Sequence, residues 1–356
     1  MNNFLFDSLE IRQFRAFDFL EIKQLGHVNL ILGKNNVGKS TLLEALYLYA
    51  NVGSPLVMRT ILDNRGEPRS TDYTDFEVLP IWNLFHNYSL TNSIRGSIQI
   101  GRTGAPDSAL TISSTRKHPN DDDNNEDNEI PAFLVKCGMF RRTLTLDKPF
   151  DEAFYSWNLP GSMKIDSELA IPCVFVTPNG LGGDRLYGLW KEIAITDAKR
   201  DVLDALRIIE PEIENFTVIS SKDETPYCHL RLRGHNKPIP AKVLGDGINR
   251  LIGLSMALVC SKDGILLVDE IENGIHWSVL PEVWKFIVKT AKRLNVQVFA
   301  TTHSNDCLKA FHYGAKGDPQ FQGVAVRLEK RDDEFNAEIF DENRLTIIAK
   351  EGIEIR

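Results

Sequence analysis

The segment Gly33-Lys34-Asn35-Asn36-Val37-Gly38-Lys39-Ser40 constrains this chain more than any other. It follows the apolar run Val28-Asn29-Leu30-Ile31-Leu32 and precedes Thr41-Leu42-Leu43-Glu44-Ala45-Leu46, so a buried strand, a glycine turn and a helix follow one another. The spacing G-x-x-x-x-G-K-S is met in full, and it builds a polyphosphate cradle from backbone N–H groups and the positive end of the helix. In that cradle Lys39 reaches the β- and γ-phosphates and the Ser40 hydroxyl holds a magnesium ion, while Gly33, Asn35, Asn36, Val37, Gly38 and Thr41 complete the nucleotide-binding set.

The rest of the sequence is compatible with a soluble nucleotide-binding protein. At 356 residues the chain is long enough for one large domain or two, and 42% hydrophobic with 25% charged residues is ordinary globular composition. There is no run of about 18 apolar residues, and charged residues occupy the place of a signal-peptide core, so a cytoplasmic protein without a membrane segment is expected. Five scattered cysteines without a C-x-x-C pair argue against zinc and against a disulfide framework. A net charge of −8 argues against a globally basic nucleic-acid coat.

Along the chain, residues 7–14 and 17–22 alternate as two strands, and a helix is expected from Lys39 to about Tyr49. Strands are expected at 93–100, 109–113 and within 134–146, with an acidic run at 119–129 read as a loop. Further on, 171–176 reads as a strand, 186–209 as helical and closed by Pro211, and 216–220 and 228–233 as a strand pair. The last third alternates an apolar helix at 248–259, a strand at 264–268, a helix at 281–294 and a strand at 296–301. That alternation builds a parallel sheet with helices on its faces. The expected organisation is an ATPase lobe in two pieces, 1–52 and 240–356, around an inserted β-rich and helical region at 53–239.

Two strand ends carry further chemistry. Ile265-Leu266-Leu267-Val268 runs into Asp269 and Glu270, which places two carboxylates at the edge where α/β sheets bind ligands. Asp269 would steady the magnesium shell, and Glu270 would orient or polarise the attacking water. Phe299-Ala300-Thr301-Thr302-His303-Ser304 repeats the pattern, with His303 able to donate a hydrogen bond to the γ-phosphate. Arg231, Arg233, His235 and Lys237 beside Tyr227, and Arg116, Lys117, Arg141 and Arg142, are basic groups for nucleic-acid contact, or solvated strand faces.

The phosphate loop with Asn35, the Asp269-Glu270 pair and Thr301-Thr302-His303-Ser304 resemble the ABC-class ATPases of the SMC, RecF and OLD-like type. The opening Ile11-Arg12-Gln13-Phe14-Arg15-Ala16-Phe17 is similar to their I-x-N-F-R-x-F start, with Gln13 in place of asparagine, and Asp269 to His276 is similar to small bacterial AAA-family members of the OLD-like group. The resemblance implies a P-loop NTPase of ABC/SMC-head type: a mixed sheet with flanking helices, antiparallel N-terminal strands, and a large insertion between Walker A and signature. It also implies ATP sandwiched between two protomers, with a signature motif from one reaching the γ-phosphate on the other. Leu244-Gly245-Asp246-Gly247-Ile248-Asn249-Arg250 stands at that position but departs from L-S-G-G-Q, so backbone amides at Gly245 and Gly247, the helix start at Asp246, and Asn249 or Arg250 would supply the contact. Asn273 to His276 falls where the family has the loop that crosses the dimer interface. Gln99 is the sole glutamine between 53 and 169, inside an expected strand, and no coupling glutamine is assigned.

The function expected is an ATP-hydrolysing, dimerising switch in DNA maintenance or antiphage defence, gating a separate nuclease or toxin and possibly contacting DNA. With 53 residues after His303, no fused TOPRIM nuclease is expected. Other readings are a RecF-type repair protein without an effector, a non-hydrolysing ATP-bound scaffold and a transporter ATPase. A kinase or GTPase is weakened by the missing guanine-reading Asn-Lys-x-Asp.

Overall fold

The computed structural model describes residues 4–67, 81–87, 96–117, 130–145, 170–221, 224–315, 323–340 and 344–347. Strands β1 (Leu9–Phe14) and β2 (Phe17–Ile22) form a hairpin, and β3 (Val28–Leu32) leads through the phosphate loop into α1 (Lys39–Ala50). Helix α2 (Pro55–Asn64) follows, and then four antiparallel strands: β4 (Ser97–Gly101), β5 (Leu110–Lys117), β6 (Ile130–Cys137) and β7 (Phe140–Thr145). The acidic run at 119–129 lies outside the described residues.

After β8 (Cys173–Val176), the expected helix at 186–209 is two helices, α3 (Gly183–Ile193) and α4 (Ala198–Leu206). Periodicity alone runs through the break because it contains neither proline nor glycine. Local bonds make it: the Thr196 hydroxyl donates to the Ile193 carbonyl at 3.0 Å, and Ile195 is thrown into solvent. A small sheet of β9 (Ile213–Ser221), β10 (Glu224–Leu232) and β11 (Ile239–Pro240) precedes α5 (Asp246–Cys260). The remaining elements are β12 (Ile265–Val268), α6 (Leu280–Leu294), β13 (Gln297–Thr301), α7 (Asn305–Ala315), β14 (Gly323–Arg331) and β15 (Glu334–Phe340).

Two six-stranded sheets organise these elements. One is antiparallel, in the order β2-β1-β4-β5-β6-β7; the other runs β15-β14-β3-β13-β12-β8 and is parallel from β14 to β8. The sheets therefore cross the 53–239 boundary expected from sequence: β4 to β7 extend the N-terminal hairpin, and β8 is the edge strand beside β12. Such pairings join residues far apart in sequence through backbone hydrogen bonds, which a linear pattern does not record.

The central sheet is covered on both faces, which explains its continuous apolar strands. Ile265 and Leu267 of β12 pack with Leu42, Leu43 and Leu46 of α1 and with Ile11, Ile98 and Ile112 of the antiparallel sheet, while Leu266 and Val268 pack on the other side with α5 and α6. Among the described residues no helix is long and apolar enough to cross a membrane.

Candidate functional site

The phosphate loop is shaped by backbone that side chains would obstruct. Gly33 has φ 142° and a Cβ there would stand 2.6 Å from the Leu328 carbonyl oxygen; Gly38 has φ 91° and a Cβ there would meet the Phe17 ring at 2.5 Å. Helix α1 starts directly after Gly38 with no side chain capping it and no acidic residue in its first turn. Its leading N–H groups are thus available to an anion. Lys39 Nζ donates to the carbonyls of Gly33 at 2.7 Å and Lys34 at 2.8 Å. Burial lowers its pKa, opposed by the field of Asp269, Glu270 and Glu272, so the lysine and the carboxylates share one electrostatic site.

Strand order brings the other groups there. β3 pairs with β13 and β13 with β12, all parallel, with Thr301 beside Ile31 and Val268 beside Ala300. The phosphate loop, the 301–304 segment and the acid pair therefore leave three adjacent strands at the same end, as ligand-binding sheet edges require. Thr301, fully buried, holds the acid pair in place: its hydroxyl donates to Asp269 Oδ1 at 2.5 Å and accepts from the Glu270 N–H at 2.8 Å. Asp269 is 4% exposed. Glu270 sits at φ 48°, and its Oε2 accepts from Asn273 Nδ2 at 2.7 Å. His303 is exposed, with Nδ1 3.4 Å from Glu272 Oε1 and 4.0 Å from Glu270 Oε1.

Sequence reasoning gave no individual role to Thr301 or Asn273 and did not single out Glu272 or the ion cluster behind the loop. There, Glu44 of α1, nearly buried, faces Arg65 at 2.8 Å and Arg15 at 3.3 Å, and Arg65 Nη2 reaches Thr41 Oγ1 at 3.4 Å. Burial pushes the Glu44 carboxyl up and the two guanidiniums hold it down. Arg15 and Glu44 both occur in segments that sequence alone marks as functional, and their pairing is the signal that only contact reveals.

The signature-like segment divides. Gly245 (φ 96°) and Asp246 are exposed at the start of α5, and Gly247 lies against the 273–276 loop, with a Cβ there 3.0 Å from the Gly274 carbonyl. Asp246 puts a negative charge in the first turn of a helix end expected to meet phosphate. Asn249 Nδ2 is 3.4 Å from the Gly245 carbonyl. Arg250 corrects the sequence reading: it is 7% exposed and its guanidinium donates inward to carbonyls of its own chain, because its position on α5 faces the sheet rather than solvent. Gln99 pairs within the antiparallel sheet, across from Arg12. In the basic patch, Arg231 pairs with Glu214 of β9 and Arg233 with Glu212 just before that strand. The side chains of Arg116 and Lys117 lie outside the described residues. His276 is exposed and bonded to Ser278 at 2.8 Å.

The chain is similar to known proteins. Residues 8–69 match a family model described as "AAA domain", and residues 183–307 match one described as "AAA domain, putative AbiEii toxin, Type IV TA system". The fold is that of an SMC head. A solved SMC head bound to the C-terminal winged-helix domain of ScpA covers 94% of this chain and 98% of its own, with TM-score 0.50 and 11% identity. A Pyrococcus furiosus SMC head with an extended coiled coil covers 97% and 98%, with TM-score 0.52 and 10% identity.

Two segments of the chain thus match AAA-domain models, on a fold like that of SMC heads. One AAA match spans β1 to α2 with the phosphate loop, the other α3 through β13 with Asp269, Glu270 and His303. Among curated proteins, this chain is 24% identical to an ATP/GTP phosphatase of Helicobacter pylori over 338 residues, 86% of this chain and 87% of that one. It is 40% identical to an uncharacterized protein of Methanocaldococcus jannaschii over 67 residues, 17% of this chain and 31% of that one.

Among the described residues no cluster of three or more His, Cys, Asp or Glu is placed to hold a metal. A magnesium ion that arrives with a nucleotide needs no such cluster, because it takes phosphate oxygens and water and only one or two protein oxygens. One buried carboxylate, Asp269, and one hydroxyl, Ser40, fit that demand.

Proposed function

We infer that this AAA-family chain is an ATP-hydrolysing switch in which two protomers close over two ATP molecules and reopen after hydrolysis. The observation that carries the reading is the convergence of three adjacent parallel strand ends bearing Lys39 and Ser40, Thr301 and His303, and Asp269 and Glu270. Gly33 to Thr41 bind the triphosphate and Lys39 neutralises it, Ser40 and Asp269 hold magnesium, and the ion, when bound, offsets charge on the phosphates. Glu270 orients the attacking water, and His303 hydrogen-bonds the γ-phosphate. Gly245, Asp246, Gly247 and Asn249, exposed or half-buried at the start of α5, face the nucleotide of the second protomer. Closure gates a separately encoded nuclease or toxin in DNA maintenance or antiphage defence, with DNA as a possible second partner. That reading is supported by the AAA match whose description names a toxin–antitoxin system and by the partner-bound SMC heads.

The test compares ATP hydrolysis and oligomeric state of the wild type and Glu270→Gln, with and without magnesium and DNA. Loss of phosphate release together with ATP-dependent dimers in light scattering supports the switch. Equal behaviour of the two proteins, with ATP bound by both and hydrolysed by neither, leaves the scaffold reading. Equal hydrolysis by both removes Glu270 from the reaction.

A further inference from the structure

The Arg250 side chain, displaced from the role its sequence position suggested, spans the ends of two strands. β8 and β12 run parallel, and their ladder ends at Val176 beside Val268, with the Asp269 N–H still donating to the Val176 carbonyl at 2.9 Å. Beyond that point the two chains leave the sheet. The guanidinium bridges them there: Nη1 donates to the Thr177 carbonyl at 2.6 Å and approaches that of Pro178 at 3.4 Å, and Nη2 donates to the carbonyls of Asp269 at 2.9 Å and Glu270 at 3.0 Å.

Four carbonyl oxygens around one fork are a demanding arrangement. The peptide they fix is the one on which Glu270 adopts a left-handed conformation, φ 48°, that a residue with a Cβ adopts only when its surroundings impose it. From the other side Asn273 Nδ2 bonds the Glu270 carboxylate at 2.7 Å and approaches the Pro178 carbonyl at 3.4 Å. The main chain and the side chain of Glu270 are thus held by separate residues that share an anchor in the 177–178 loop. Burial lowers the guanidinium's pKa, and the carboxylates of Asp269, Glu272 and Glu270 offset this only in part, so the arginine shares the field of this acid cluster. A lysine in its place would bring one ammonium on a flexible stem and cannot span both strand ends as a fork does.

We propose that Arg250 is a positioning residue for hydrolysis: by tying the loop after β8 to the end of β12, it fixes the Glu270 backbone so that the carboxylate points at the attacking water. The inference rests on the reading of Glu270 as the hydrolytic group. It concerns a residue of α5, the helix whose exposed start is read as the contact to a second protomer.

The test uses the full chain with Arg250→Lys and Arg250→Gln, each alone and combined with Glu270→Gln. Steady-state ATP hydrolysis, ATP affinity by calorimetric titration and thermal unfolding are measured on all of them. The expected result is a fall in kcat of about tenfold or more, with KM and ATP affinity within about twofold and cooperative unfolding retained. In the Glu270→Gln background the same substitutions lower the residual rate by less than about twofold, because the group they position is already absent. Unchanged kcat in Arg250→Lys and Arg250→Gln overturns the proposal, as does an equal loss in both backgrounds. If neither variant unfolds cooperatively, Arg250 is a determinant of the fold and the positioning role is likewise overturned. If Glu270→Gln itself hydrolyses ATP at the wild-type rate, the reading of Glu270 falls first, and a kcat loss at Arg250 then has to act through another group.

Discussion

Replacing Thr301 by valine removes the hydroxyl that links β13 to the acid pair while keeping the shape of the side chain. Two partners lose it: the Glu270 N–H, bonded at 2.8 Å, and Asp269 Oδ1, bonded at 2.5 Å, both beside a residue with no solvent exposure. A buried polar group left without its partner costs about 1–3 kcal/mol, more when charged, so the two losses amount to about 2–6 kcal/mol. The extra methyl returns at most about 1 kcal/mol of transfer free energy. Thr301→Val is therefore expected to lower stability by about 1–6 kcal/mol, a large share of the roughly 5–15 kcal/mol that keeps a domain folded. Thr301→Ser keeps both bonds and loses one buried methyl, at a cost of about 1 kcal/mol. Urea unfolding of the three proteins, read as a change of midpoint at constant slope, separates these outcomes. ATP hydrolysis should follow the same order, with the serine protein near wild type and the valine protein far below it. A valine protein as stable as the serine protein would refute the bracket that Thr301 is read to form.

Lys39→Ala should abolish ATP binding in a calorimetric titration, since it removes the cation that shares its site with Asp269, Glu270 and Glu272; unchanged affinity would remove the phosphate-loop assignment. His27 is held below its ordinary pKa by burial, and its Nε2 has no hydrogen-bond partner among the described residues. As pH falls through about 6.5 the unfolded chain takes up a proton that the folded chain refuses, so stability declines there by at most about 1.4 kcal/mol per pH unit until the folded pKa is passed. His27→Gln should flatten that decline in urea midpoints measured between pH 7 and 5. Burial pushes the thiols of Cys228, Cys260 and Cys307 up to about 12, leaving almost no thiolate at neutral pH. They should react with Ellman's reagent only in denaturant, and rapid labelling of the folded chain would contradict the packing around them.

The parts of the candidate site could be read from sequence because each of them is local. A strand, a glycine loop and a helix must be contiguous for Lys39 and Ser40 to meet a phosphate, and Asp269 and His303 each stand directly after an apolar strand, so short windows of sequence contain their geometry. The break between α3 and α4 was hidden because a threonine marks it without proline or glycine, through a bond that periodicity does not register. Arg250 was misplaced for a related reason. Three residues past Gly247, it stands on a helix buried on nearly every side, and whether a cation there turns outward to a phosphate or inward to carbonyls depends on the strand ends beneath it.

From sequence alone the identity of the phosphate loop, the strand-helix alternation of the last third and the acidic strand end were fixed by local backbone and polarity rules. Only the tertiary structure decided that β8 borders β12, that β4 to β7 continue the N-terminal hairpin, and that Thr301, Asn273 and Arg250 converge on Glu270. These are contacts between segments far apart in sequence, chosen by which surfaces bury one another and which buried donors find acceptors. Neither choice leaves a mark on any one stretch of sequence.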